Sequence, residues 1–169
     1  KETSTPPEVF APVILFLRSV QKTNIIGKNS IQEKYPRHRR LLLSVHAGED
    51  FSHILTGMRR IDETVIFYGM DSGDRIGHAL ALGIPPIDWL KQTEEILITC
   101  GENLDNLVWL YHHLVRISEA YDPALPFLAY YQEQISIYSQ KIYGKVYPQE
   151  VLFYAWRMRS NCPISFFDK

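Results

Sequence analysis

Two short apolar runs on either side of one amphipathic stretch limit what this chain can fold into more than any other feature. The runs, residues 40–46 and 75–80, have the length of strands, and the apolar residues of positions 51–61 between them recur at helical spacing. A strand, a helix and a second strand within about forty residues form a βαβ unit, which predicts parallel pairing of the strands. The continuous apolarity of the first run favours a sheet that is covered on both faces.

The rest of the chain is predicted to be helical. A helix is expected over residues 7–21, with Pro12 as a kink or first turn, and a polar connection over residues 22–38. No strand is expected after Leu82. Four further helices are predicted: from Pro85–Pro86 to Thr99, around 104–115, around 127–138, and from Pro148 onward. The fold class is therefore α/β, with the strands in residues 1–84 and only helices in residues 85–169.

Composition and charge exclude several classes of protein. A hydrophobic content of 46% over 169 residues excludes intrinsic disorder, and a net charge of −1 excludes the basic surplus of a nucleic-acid-binding domain. Two cysteines, Cys100 and Cys162, fit a reducing compartment, so a cytoplasmic location is expected. The longest apolar run, Val13 to Leu17, is too short to span a bilayer, and a signal peptide is not expected from the pattern of the first residues. Because the chain begins with Lys1, it is expected to be a processed product or a stretch of a longer protein.

Three polar residues lie where the two predicted strands end. His46 and Glu49 flank the residues Ala47 and Gly48 after the first strand, and His78 ends the second. Because the carboxyl ends of parallel strands lie at one edge of a sheet, the three side chains are expected near one pocket. A neutral imidazole can bind zinc and a nearby carboxylate can move protons. The alternative is that both histidines are structural.

The His-Ala-Gly-Glu sequence at residues 46–49, followed by Asp-Arg-Ile-Gly-His at residues 74–78, resembles the adenosine/AMP deaminase family of the amidohydrolase superfamily. Members are (β/α)8 barrels with one zinc, and these motifs end their fifth and sixth strands. The resemblance covers residues 40–84. It implies that residues 1–84 are an incomplete barrel segment, about strands 5–6, and that residues 85–169 are a helical insertion.

The resemblance also implies a role for each motif residue. His46 would ligate the zinc, and Gly48 would offer its backbone to the purine. Glu49 would protonate the ring nitrogen next to the attacked carbon, while His78 would orient and deprotonate the water on the zinc. The implied reaction is hydrolytic deamination of adenosine-type purines to inosine-type products, with nucleoside, nucleotide and a base within RNA all left open as substrates.

The chain departs from the family at three points. It contains no His-x-His pair and no Asp-Asp pair, which supply the other zinc ligands and a purine contact in the family, and Ala79 replaces the family's glycine. The remaining zinc ligands are therefore expected outside these 169 residues. The stretch alone is expected to be inactive and to bind zinc poorly.

The extended sequence at residues 73–83, with the helices after it, is similar to the deaminase subunit of the RADAR anti-phage system. That similarity implies antiviral defence, a homo-oligomer and an ATPase partner. Independently of it, the Tyr/Leu stripes of residues 104–138 are expected to pack partly on their own barrel and partly on another subunit. The alternative function is a catalytically inactive, deaminase-like structural or assembly protein. A third is a helical binding module with coincidental motifs.

Other chemically active side chains are expected to be structural rather than functional. His53 is predicted on a polar helix face rather than in a metal pair, and Cys100 as a small buried side chain. The basic residues of positions 37–40 are expected in a solvated loop, and the alternative is that they contact phosphate or RNA. The residues with these structural assignments also include Arg37, His38, Arg39, Arg40, His112, His113, Tyr130 and Tyr131.

Overall fold

The computed structural model describes residues 6–26, 42–121 and 125–161. These residues form a mixed α/β structure that is mostly helical and contains one two-stranded parallel sheet. The elements in chain order are α1 Pro7–Ile26, β1 Ser44–Ala47, α2 Ile54–Phe67, β2 Arg75–His78, a 3-10 turn Leu80–Leu82, α3 Pro86–Gln92, α4 Cys100–Ser118, α5 Leu125–Tyr143, α6 Gln149–Arg157 and a 3-10 turn Met158–Asn161.

The predicted strand–helix–strand unit is confirmed. Strands β1 and β2 pair in parallel, with Val45 opposite Ile76 and His46 opposite Gly77. Helix α2 connects them and turns Ile61 onto the sheet, where it packs with Ala47. The apolar faces of the strands and of the connecting helix require this contact, because neither element can bury its apolar face alone.

The helix predicted to end at Thr99 is wrong in its second half. Helix α3 ends at Gln92, and the chain is non-helical until α4 begins at Cys100. The break is local: Thr93 already has extended backbone angles, φ −109° and ψ 119°, and Thr99 caps the next helix, where its side chain accepts a hydrogen bond from the Glu102 N–H at 3.1 Å. A residue that caps a new helix cannot continue the preceding one.

Other boundaries differ by a few residues. Helix α1 runs through Pro12 and continues to Ile26, so residues 22–26 are helical and not part of the predicted polar connection. The remainder of that connection, 27–38, lies outside the described residues, as do Arg39 and Arg40. Both strands are shorter than their apolar runs, and no strand follows Leu82 in the described residues up to 161.

One hydrophobic cluster joins the two predicted parts of the chain. Phe67 and Tyr68, at the end of α2, pack with Trp109 of α4 and Trp156 of α6. The rings of Phe67 and Trp156 lie 5.5 Å apart. Ala11 of α1 completes this cluster. The helices of residues 85–161 are thus packed on the strand-bearing part rather than standing apart from it.

A buried polar network accompanies this contact. Arg59 pairs with Glu63 one turn away on α2, and its Nε donates a hydrogen bond to Asn106 Oδ1 on α4 at 2.8 Å. The Trp156 indole donates to Glu63 Oε1 at 2.7 Å. Burial raises the pKa of Glu63, and the neighbouring guanidinium groups of Arg59 and Arg60 partly offset that increase. The network aligns α2, α4 and α6 because each buried polar group depends on another helix for its partner.

The tyrosines of α5 do not share one environment. Tyr131 and Tyr138 pack on a second hydrophobic cluster that includes Ile135 and Leu107, whereas Tyr130 is exposed. The expectation that Tyr131 is a packing residue is confirmed, and the same expectation for Tyr130 is wrong.

No helix within residues 6–26, 42–121 and 125–161 has both the length and the apolarity needed to cross a bilayer.

Asp74 connects the turn before β2 to the rest of the sheet. Its carboxylate accepts hydrogen bonds from the backbone N–H groups of Leu43 and Asp71, at 2.9 and 2.8 Å, and pairs with Arg18 of α1. Burial alone would raise the pKa of Asp74, but these hydrogen bonds and the Arg18 charge lower it to about 2.

Protonation of Asp74 should therefore destabilise the fold in acid. The stabilising contribution is present above the ordinary carboxyl pKa near 3.8 and is lost as the pH falls through about 2, because the unfolded chain binds the proton more tightly. Asp74→Asn should reduce the free energy of unfolding measured by urea denaturation at pH 7 by on the order of 1 kcal/mol and should flatten its decline between pH 4 and 2. The control is Asp88→Asn, at an exposed surface pair; an unchanged acid profile in Asp74→Asn would contradict the assignment.

Candidate functional site

The end of β1 contains the first two candidate residues. His46 is the third residue of the strand, and Gly48 immediately after it has a left-handed φ of +73°. A Cβ at Gly48 would lie 2.4 Å from Ile61 Cδ1, so both the conformation and the close approach of α2 require glycine there. The resulting turn brings Glu49 back beside His46. The structure thus accounts for Gly48 as a turn residue, and its contact with a purine stays a prediction.

The end of β2 places His78 by an unusual backbone conformation. In the register of the sheet His78 is opposite Ala47, whose side chain packs on α2, so a regular strand would point His78 to that face. Instead His78 has φ +65° and Ala79 has φ +48°, both left-handed and unfavourable for residues with a side chain. This turn of the backbone brings the His78 ring to within 4.7 Å of the His46 ring, centroid to centroid.

The three side chains meet around one carboxylate. His46 Nδ1 lies 3.4 Å from Glu49 Oε1, and His78 Nε2 lies 3.2 Å from Glu49 Oε2. The His46 side chain is 64% exposed, that of His78 46%, and that of Glu49 27%. The carboxylate is therefore the most shielded member, between two imidazoles that remain accessible at the carboxyl edge of the strands. The expected meeting of these residues at one edge is confirmed.

The donor set fits a transition-metal ion such as zinc. One ligand atom from each of His46, Glu49 and His78 lies within 4.8 Å of the others, and two imidazole nitrogens with one carboxylate oxygen are donors that zinc binds in proteins. His46 turns Nδ1 toward Glu49. The same cluster can also exchange protons, because each imidazole is close to a separate oxygen of the carboxylate.

His53 has a structural role, although not the predicted one. It is the N-cap of α2, where its Nδ1 accepts a hydrogen bond from the Leu55 N–H at 3.1 Å, and its ring contacts Trp89 edge-on at 4.9 Å. Burial lowers the pKa of His53, and Glu102 partly counteracts this effect. The assignment to a polar helix face is therefore wrong. Histidine is not among the residues that usually mark an N-cap, so the sequence carried no clear capping signal at this position.

The remaining candidate side chains lie away from the strand ends. His112 stacks on Phe153 at 3.7 Å, and His113 packs against Trp109 at 4.6 Å, which confirms them as packing residues. Cys100, the first residue of α4, is half-buried and lines a cavity of about 320 Å³ together with His53.

Sequence reasoning also missed two residues that shape the site. Gly77 had no assigned role, but it lies directly beside the His46 ring. Ala79 was noted only as a replacement for the family's glycine, whereas its left-handed φ contributes to the turn that redirects His78. The register of a predicted parallel pair would have identified Gly77 as the neighbour of His46. Neither composition nor periodicity signals the positive φ angles.

Comparison of the chain with models of known protein families and with curated proteins finds no match.

Proposed function

We propose that this chain is a segment of a zinc-dependent aminohydrolase that converts adenosine-type purines to inosine-type products. The observation that carries the proposal is the Glu49 carboxylate, held between the imidazoles of His46 and His78 at the carboxyl edge of a parallel strand pair. Catalytic groups of α/β folds lie at that edge. The resemblance of the two motifs to the adenosine/AMP deaminase family supplies the reaction.

The proposed barrel is supported by features of the two strands. Parallel sheets are ordinarily covered on both faces and contain more than two strands. In the described residues, β1 and β2 pair only with each other, and α1 exposes large apolar side chains such as Phe16 and Leu17. Additional strands and helices of a barrel would bury these surfaces. Residues 1–84 would then be barrel and residues 85–169 an insertion packed on it.

Each residue at the site has a chemical task in the proposed reaction. When bound, zinc would act as a Lewis acid that makes water nucleophilic at neutral pH. His46 would hold it together with ligands from the rest of the longer protein, so that Glu49 and His78 would act on protons and would not ligate the zinc. His78 would take a proton from the attacking water, and its contact with Glu49 would stabilise the imidazolium that results. Glu49, the most shielded of the three, would deliver a proton to the purine ring nitrogen.

The atoms balance as a hydrolysis. The oxygen of water bonds to the purine carbon, and the bond from that carbon to the amino nitrogen breaks. One proton of the water ends on the ring nitrogen and the other on the departing ammonia. Ammonia and an inosine-type base are the products, with no oxidant or second substrate. Whether the purine is a nucleoside, a nucleotide or part of RNA is left open by the proposal.

Zinc titration and ammonia release test the proposal together. Added Zn²⁺ should shift the imidazole NMR signals of His46 and His78 and leave those of His112 and His113 unchanged. Zinc binding by this chain alone is expected to be weak, because the family uses ligands that the chain lacks. A protein that joins this chain to the remaining ligands should bind zinc tightly and release ammonia from adenosine.

Two results would contradict this function. The first is a zinc response confined to His112 and His113. The second is a zinc-loaded protein that releases no ammonia from any adenosine-type substrate, which would favour the inactive, assembly-protein alternative.

The homo-oligomer, the ATPase partner, antiviral defence and the cytoplasmic location stay predictions. Among the tyrosines of α5, Tyr130 is suited to a subunit contact because it is exposed, whereas Tyr131 and Tyr138 pack within the chain.

A further inference from the structure

Gly77 lies opposite His46 in the parallel pair, and the His46 ring occupies the space where a side chain at 77 would be. A Cβ built on Gly77 would be 2.6 Å from His46 Cδ2 and 3.0 Å from His46 Nε2. Side chains opposite each other in a parallel pair share one face of the sheet. Any residue other than glycine at position 77 would therefore compete with the imidazole for the same volume.

Space, and not backbone conformation, is what requires glycine at position 77. Among the described glycines, Gly48, Gly69, Gly73 and Gly144 have a left-handed φ, and Gly77 does not. An alanine at 77 could thus adopt the strand conformation without strain. The atoms it would meet belong to the end of the His46 side chain, which is 64% exposed and can rotate into solvent.

We propose that Gly77 is a positioning residue that keeps the His46 imidazole over the sheet edge, beside Glu49 and His78. A methyl group at 77 would displace the ring while leaving the fold intact. The effect on ring position follows from the geometry alone, whereas the effect on zinc rests on the proposed function.

The test compares Gly77→Ala with Gly83→Ala. Gly83 is a matched control because it is close in sequence, has φ −95°, and its Cβ would come no closer than 3.6 Å to Leu80 O. Without metal, the cross-relaxation signal between the His46 and His78 ring protons should disappear in Gly77→Ala and persist in Gly83→Ala. The Zn²⁺ affinity of Gly77→Ala should fall about 10- to 100-fold, the range typical for residues that orient metal ligands. The thermal midpoint of the two variants should be similar.

A double-mutant cycle separates positioning from a general structural role. In a metal-free His46→Ala background, Gly77→Ala should cause no further change in the His78 ring signals, because the ring through which it acts is absent. If Gly77→Ala alone does not fold, adding His46→Ala should restore folding, which would also support the proposal.

Three results would overturn the proposal: an unchanged contact between the rings in Gly77→Ala, a further change in the His78 ring signals when Gly77→Ala is added to His46→Ala, or a double variant that remains unfolded. Loss of the ring contact in a chain whose wild type binds no zinc would support the role of Gly77 and count against the proposed function. The two inferences can therefore fail independently.

Discussion

Replacing Glu49 with glutamine should reduce deamination by the zinc-loaded protein by at least about 10²- to 10⁴-fold, because an amide cannot deliver the proton that the ring nitrogen needs. Glutamine has nearly the same shape as glutamate, and the His46 ring would remain in place over Gly77. Zinc content, measured by elemental analysis, should therefore stay close to that of the wild type. The rate of ammonia release from adenosine measures the loss.

The neighbouring carboxylate offers a matched control. Asp50 is exposed and adjacent in sequence, so Asp50→Asn removes the same charge, and it should retain most of the activity. His46→Ala should lose zinc and activity together. An active Glu49→Gln protein would remove Glu49 from the mechanism, and equal losses in Glu49→Gln and Asp50→Asn would indicate a nonspecific charge effect.

The largest effect on stability is expected from Arg59→Ala. Arg59 is 1% exposed and Glu63 0%, so loss of the guanidinium leaves a fully buried carboxylate without its closest cation and Asn106 Oδ1 without its donor. Breaking a buried ion pair by removing one partner typically costs about 3–5 kcal/mol. We expect a loss of that size in the free energy of unfolding at pH 7, measured by urea denaturation.

Arg60→Ala is the control for this prediction. Arg60 also contacts Glu63, at 3.0 Å, but 16% of its side chain is exposed compared with 1% for Arg59, so its loss should cost less than that of Arg59. Without Arg59 the pKa of Glu63 should rise further. A carboxyl group whose pKa is higher in the folded than in the unfolded protein stabilises the fold at pH values below its ordinary pKa, and this contribution is lost as the pH increases. The stability deficit of Arg59→Ala relative to the wild type should therefore shrink as the pH falls toward 4.5. Equal effects of the two substitutions would show that burial of the pair is not what determines its importance.

Local pattern was sufficient to predict the strand–helix–strand unit. Strand length, helical spacing and the glycine-containing turns are short-range properties, and a crossover helix of this length imposes parallel pairing. Parallel pairing in turn places the ends of both strands at one edge, which is why His46, Glu49 and His78 could be assigned to one site. The Thr99 cap that precedes α4 was equally local, and the error there came from extending the preceding helix from Gln92 up to that capping residue.

Long-range packing decided what local pattern could not. On sequence, Arg59 and Glu63 have the spacing of an ordinary surface pair on a helix; they are buried only because Asn106, 47 residues away, and Trp156, 93 residues from Glu63, pack over them.

The sequence by itself determined the parallel unit and the edge at which the three side chains of the site gather. Strand alternation would have pointed His78 toward α2, and only the left-handed backbone at His78 and Ala79 turns it to Glu49. Such a conformation is unfavourable in isolation and persists only where surrounding contacts hold it. The tertiary structure therefore decided the geometry of the site.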